Sequence, residues 1–137
     1  MSRDLKTLTI LMRASHRLEA IVKDEVQAHG LTISEFGTLE ALYHKGTLTV
    51  AEIVAKILIP NSSMSYVLER LLEKGLIERT QDEGDKRVYR LTLTEAGHNY
   101  IREVYPLHQK ALRQLLDRLT PDEEEILQQL LKKIGKD

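Results

Sequence analysis

Asp85-Lys86-Arg87-Val88-Tyr89-Arg90-Leu91-Thr92-Leu93-Thr94-Glu95-Ala96-Gly97 is the stretch that decides the fold. Val88 to Leu93 is rich in β-prone residues and reads as a strand. Leu76-Ile77-Glu78-Arg79-Thr80 reads as its partner. The polar, turn-prone Asp82-Glu83-Gly84-Asp85 separates the two, so they form a hairpin with Lys86 and Arg87 at its tip. Thr94 is a helix cap, so the return strand runs straight into a helix.

Working upstream, Asn61 or Ser62 caps a helix that continues to Lys74 and stops at Gly75. At about 100° per residue, Met64, Val67, Leu68, Leu71 and Leu72 share one face. Ser62, Ser65, Tyr66, Glu69 and Glu73 share the other, and Ser63 and Arg70 lie on the flank. Thr49-Val50-Ala51-Glu52 is a capping box opening a short helix, with Ile53, Val54 and Ile57 inward. Pro60 forces Ile59 out of helical conformation and ends it there. Thr47-Leu48-Thr49 is a short extended piece. Before it, Thr32-Ile33-Ser34-Glu35 caps a helix with Phe36, Leu39, Leu42 and Tyr43 as its apolar stripe, ended by Gly46. The first helix spans residues 4–28 and is stopped by Gly30, with Leu5, Leu8, Met12, Ile21 and Val22 at helical spacing.

Downstream, the helix capped by Thr94 runs to residue 118, and Pro106 inside it removes one backbone hydrogen bond and favours a kink. Thr120-Pro121-Asp122-Glu123 caps a last helix carrying Ile126, Leu127, Leu130, Leu131 and Ile134. The fold class is therefore mainly α with a small β-hairpin. A helix-helix-helix-hairpin unit lies between two ends made only of helix. These ends carry more apolar surface than one another's length hides, so a homodimer is expected, with an intramolecular bundle as the alternative.

The 137-residue chain is long enough for one domain with its own core. A net charge of -1 argues against a general nucleic-acid coat protein. It leaves room for a binder with a few local cations. The absence of Cys excludes a disulfide framework, a thiolate metal site and a cysteine redox sensor. No apolar run reaches the ~18 residues of a membrane span, and Met1-Ser2-Arg3-Asp4 opens no signal peptide, so a cytoplasmic protein without membrane contact is expected.

A helix whose first two outward turns are uncharged and hydrogen-bonding suits insertion of its N-terminal end into a DNA major groove. Taken alone, it is equally an ordinary amphipathic helix with a solvated polar face. The hairpin adds a tip where Arg87 can lie along a minor groove, pre-aimed by a bidentate pair with Asp85. Taken alone, that tip is equally a polar turn, because Asp82, Glu83 and Asp85 make it no simple basic patch.

From about Thr32 to Gly97 the chain resembles the winged helix-turn-helix of the MarR family of bacterial transcription regulators. Asp85-Lys86-Arg87 fits that family's Asp-x-Arg wing, followed at the family's distance by Leu93-Thr94-Glu95-Ala96-Gly97. Val67 to Ile77 resembles the recognition helix running into the wing, and the helical extensions match in order and length. The resemblance implies residues 32–97 as the DNA-binding domain. It implies 1–31 and 98–137 as N- and C-terminal dimerisation helices. The partner is a pseudo-palindromic double-stranded operator, met by Asn61, Ser62, Ser63, Ser65, Tyr66, Arg70, Asp85, Lys86 and Arg87. Ser34-Glu35-Phe36 and Leu42-Tyr43-His44-Lys45-Gly46 are most similar to the branch responding to quinones and phenols. A small aromatic effector is therefore implied between the dimer helices and the DNA-binding lobe, with Met12, Arg13, His16, Tyr43 and Tyr66 as its lining. The alternative for each of these side chains is an ordinary core or solvated role.

Two other readings stay open. Some members of this family bind zinc, and the chain has five His, but no His pair has the i, i+3 or i, i+4 spacing of a helical metal clamp. No metal site and no cofactor is therefore assigned. A winged helix can also serve protein contact. An enzyme is not expected, since there is no phosphate loop, His-Glu-x-x-His or nucleophile elbow.

Overall fold

The computed structural model describes residues 3–57 and 63–135. Its elements are α1 (Arg3–Ala28), α2 (Ile33–Lys45), β1 (Leu48–Thr49), α3 (Val50–Lys56), α4 (Met64–Glu73), β2 (Ile77–Gln81), β3 (Tyr89–Leu93), α5 (Glu95–Leu116) and α6 (Pro121–Gly135). This is the order read from the sequence.

Three helices start as the capping boxes dictate. The Thr32 N–H donates to Glu35 Oε1 at 2.8 Å and the Glu35 N–H donates back to Thr32 Oγ1 at 3.1 Å. Thr49 with Glu52 and Thr120 with Glu123 repeat the exchange. Each such cap is worth about 1 kcal/mol.

The helix-to-hairpin corner explains why the run ending in Gly97 governs the fold. Gly75, at φ 73°, turns left-handed after α4, and the Leu76 N–H donates back to the Leu71 carbonyl at 3.1 Å. The Leu76 carbonyl then accepts the Thr94 N–H at 3.1 Å. The Thr94 hydroxyl donates to the Gly75 carbonyl at 2.6 Å and accepts the Gly97 N–H at 3.0 Å. A Cβ on Gly97 would stand 1.9 Å from the Leu76 oxygen. Only glycine lets the start of α5 approach this closely.

β2 and β3 form the expected antiparallel hairpin, in register from Ile77↔Leu93 to Gln81↔Tyr89. β1 adds a third strand on the far side of β3, through Leu48↔Leu91 and Thr49↔Arg90. Sheet and helices close over one core. α2 sits at its centre, against α1, α3, α4, α5 and β3. Phe36, Leu39, Leu42, Ile53, Leu71, Leu91 and Ile101 are buried there. Glu35 is buried too and meets Lys74 Nζ at 3.0 Å, tying α2 to the end of α4. Burial alone would raise its pKa. The hydrogen bonds from Thr32 and Lys74 and the lysine's charge outweigh that, so the carboxyl titrates below its ordinary value.

Local expectations are corrected in α3, α4 and α5. Val54 is exposed rather than inward, because α3 buries only Ile53 of its seven residues. α3 ends at Lys56, before Pro60 can act, because Ile57 turns extended and packs its side chain against Gly37. Pro60 and Ile59 themselves lie outside the described residues. The N-cap of α4 is Ser63, which makes no side-chain cap bond. Asn61 and Ser62, the residues expected to cap it, also lie outside the described residues. α5 runs through Pro106 as one helix and stops at Leu116.

The two ends differ from the middle. α6 buries no residue, and Ile126, Leu127, Leu130, Leu131 and Ile134 are all exposed. Leu5, Leu8 and Met12 of α1 are exposed as well, and Val26 is the α1 residue that enters the core. Among the described residues, no helix is long and apolar enough to cross a membrane.

Candidate nucleic-acid interface

The hairpin tip is built by two aspartates. Asp82 Oδ2 accepts the Gly84 and Asp85 N–H groups at 3.0 and 2.9 Å, closing the turn. Its Oδ1 accepts Arg90 Nε at 3.1 Å, fastening the turn to β3. Gln81 Nε2 donates to the Lys86 carbonyl at 2.7 Å. Asp85 then aims Arg87. Its Oδ1 accepts the Arg87 N–H at 3.0 Å and Nε at 3.2 Å, while Oδ2 accepts Nη2 at 3.2 Å. This is the bidentate pair expected from the sequence. The Arg87 side chain is nonetheless 90% exposed, so the brace orients the guanidinium without burying it. Hydrogen bonds from the Arg87 side chain and N–H hold the Asp85 carboxyl below its ordinary pKa. The Asp85 N–H and Arg90 do the same for Asp82. Both carboxyls are therefore held in the charged form that the brace needs. Sequence reasoning missed the role of Asp82, which looked like generic turn acidity.

α4 presents the face derived from its periodicity. Val67, Leu68 and Leu71 are buried, and Ser63, Ser65, Tyr66, Glu69 and Arg70 are exposed. Tyr66 is 64% exposed, and the Arg70 guanidinium lies 6.0 Å from its ring centroid. The outward surface is hydrogen-bonding at the N-terminal end, with a cation beside it. Lys86 is exposed at the hairpin tip.

A cavity of about 420 Å³ opens between α2 and α5. Phe36, Ala41, Ile57, Tyr105 and Leu112 give it apolar walls, and Glu40, His44, Lys45, Lys56, His108 and Arg113 are its ionisable residues. The five side chains read as an effector lining do not share it. Met12, Arg13 and His16 are exposed on α1, and Tyr66 is exposed on α4. Tyr43 stands behind the wall, with its ring 5.3 Å from His44 and 6.2 Å from Tyr105. The protomer thus offers a cavity walled mainly by α2 and α5, with Val22 of α1 and Lys56 of α3 at its edge. Periodicity could not find it, because Glu40 and Arg113 are far apart in sequence.

His108 is buried at the cavity wall, its ring tilted against that of Phe36 with centroids 4.3 Å apart. Its Nδ1 is 3.7 Å from Glu25 Oε1, too far for a hydrogen bond. Burial pushes its pKa down, Glu25 partly offsetting and His29 adding to the effect. Burial likewise raises the Glu40 carboxyl, partly offset by His44. Among the described residues, no group of three or more His, Asp or Glu is placed to hold a metal ion.

Helices α2, α3 and α4, closed by a hairpin with a braced, exposed arginine at its tip, define a winged helix-turn-helix protein. Residues 29–88 match the MarR family. The chain is 32% identical to the HTH-type transcriptional regulator MhqR of Bacillus subtilis over 133 residues, covering 97% of this chain and 92% of that protein. It superposes on the DNA complex of Sco3205, a MarR family transcriptional regulator from Streptomyces coelicolor, with a TM-score of 0.88 and 25% identity, covering 99% and 92% of the two chains. It also superposes on BpsR of Bordetella bronchiseptica, whose DNA binding is regulated by 6-hydroxynicotinic acid. There the TM-score is 0.81 at 27% identity, covering 94% and 92%. The chain belongs to the MarR family of transcriptional regulators.

Proposed function

We propose that the protein is a homodimeric, sequence-specific repressor that leaves its operator when a small aromatic ligand, phenolic or quinone-like, binds. The observation that carries the DNA reading is Arg87, exposed and held by Asp85 at the hairpin tip. In this reading residues 32–97 bind DNA, and 1–31 with 98–137 form the dimer. Asn61, Ser62, Ser63, Ser65 and Tyr66 face the major groove. Arg87 enters the flanking minor groove, while Arg70 and Lys86 meet phosphate. The exposed apolar rows of α1 and α6 support the dimer, since a second copy would cover them. The cavity between α2 and α5 is the ligand site, and the likeness to BpsR supports a small-molecule signal. The ligand acts only through its different affinity for the DNA-competent and released states.

Selection of bound duplexes from a random pool, with purified full-length protein, tests this reading. The expected product is a pseudo-palindrome with half-sites about 10 base pairs apart, one helical turn. A pool that shows no enrichment, or single half-sites only, contradicts it.

A further inference from the structure

Arg113 stands where the cavity meets the last helix. It lines the α2–α5 cavity and also the groove at the α5–α6 corner. Nη1 donates to Glu124 Oε2 at 3.0 Å, and Nη2 donates to Glu124 Oε1 at 2.7 Å. Nη2 also meets Asp117 Oδ1 at 2.6 Å, one turn along α5. The Glu124 contact is a two-pronged clamp between α5 and α6. It is the one side-chain ion pair joining these helices among the described residues, and α6 buries no side chain of its own. Within one protomer, the side-chain ion pairing of α6 to α5 thus rests on a single guanidinium that also borders the cavity.

The cavity's charge says what would compete for that guanidinium. Lys45, Lys56 and Arg113 line it against one carboxylate, Glu40. Lys45 and Lys56 outnumber Glu40, and Arg113 is held by Glu124 and Asp117, so an anion reaches that guanidinium only by replacing a carboxylate. Phe36 and Tyr105 offer flat apolar surface for a ring.

We propose that a small planar anion in the cavity takes the Arg113 guanidinium from Glu124, so that ligand binding and the α5–α6 clamp exclude each other. This rests on the cavity being the ligand site, and it names how occupancy reaches the helical end. Asp117 can keep its hold while the guanidinium swings, because it lies on the same helix. Exchanging one carboxylate partner for another costs little, so a weak ligand suffices to shift the balance. By linkage, whatever fastens α6 weakens the ligand by the same factor.

Calorimetric titration of the full chain with benzoate and with neutral benzamide tests the exchange. Benzoate should bind more tightly than benzamide. Glu124→Gln should raise benzoate affinity about two- to fivefold, the range of an exposed ion pair, and leave benzamide unchanged. Arg113→Gln should reduce the preference for the acid, leaving only what Lys45 and Lys56 supply. Benzoate should also speed amide hydrogen exchange across residues 121–135 in the wild type, and not in Glu124→Gln, where the clamp is already open. Should Arg113→Gln fail to fold by circular dichroism, the Glu124→Gln titration and the exchange data still decide. Equal benzoate affinity in wild type and Glu124→Gln, or no benzoate binding at millimolar concentration, overturns the proposal. Duplex selection without benzoate reports on the DNA reading separately, so failure of one is distinguishable from failure of the other.

Discussion

The middle of the molecule and its helical ends are built from the same kinds of residue but finish differently. From α2 to the start of α5, apolar stripes close on one another. Leu39, Ile53, Leu71, Leu91 and Ile101 are each at most 1% exposed. At the ends, equally regular stripes stay open, and α6 buries nothing. A helical apolar period says that a face will be covered; it does not say by what. In the middle the cover is the sheet and the neighbouring helices. At the ends no such cover exists within the protomer's described residues. The middle is thus closed within one chain, while the proposed second copy would supply the cover at the ends.

The contrast is sharpest for stability. Leu71→Ala removes a buried side chain beneath the DNA-facing helix and should cost about 2–5 kcal/mol in denaturant unfolding. A cost below about 1 kcal/mol would mean that the middle is not the closed core described. Truncation after Leu119 should keep the secondary structure of residues 32–97 by circular dichroism but lose the dimer by sedimentation. A truncated dimer would refute the assignment of α6 to the interface.

A smaller effect separates the middle from its surroundings by pH. His108 titrates below its ordinary 6.5 when folded, chiefly through burial, so the unfolded chain takes its proton first. Its contribution is present above about pH 6.5 and is lost as pH falls through the folded value. The wild type should therefore lose more Tm than His108→Gln between about pH 7 and about pH 5, by a few degrees. Parallel melting curves would show that His108 is not buried as described.

Local features were the legible ones. The capping boxes at Thr32, Thr49 and Thr120 act within four residues, so sequence alone locates them. The Asp85–Arg87 pair spans two residues and is legible for the same reason. Asp82 is as local, yet its part depends on Arg90 across the hairpin, which charge counting does not show. Val54 was misjudged, while Ile53 and Ile57 are buried as expected, because tertiary burial, not helical period, decides short helices such as α3. The cavity needed the fold itself, since its walls come from α1, α2, α3 and α5, with Ile57 beside α3. Met12, Arg13, His16, Tyr43 and Tyr66, read as an effector lining, are not among the residues that line this cavity.

The most direct test of the central claim is the salt dependence of affinity for a selected operator duplex, measured for wild type and Arg87→Ala. The account predicts weaker binding and a log–log slope shallower by about one counterion per subunit, the signature of a single lost cation at the DNA. An unchanged slope would contradict the placement of Arg87 in the groove, and with it the reading of the hairpin as a DNA-gripping wing.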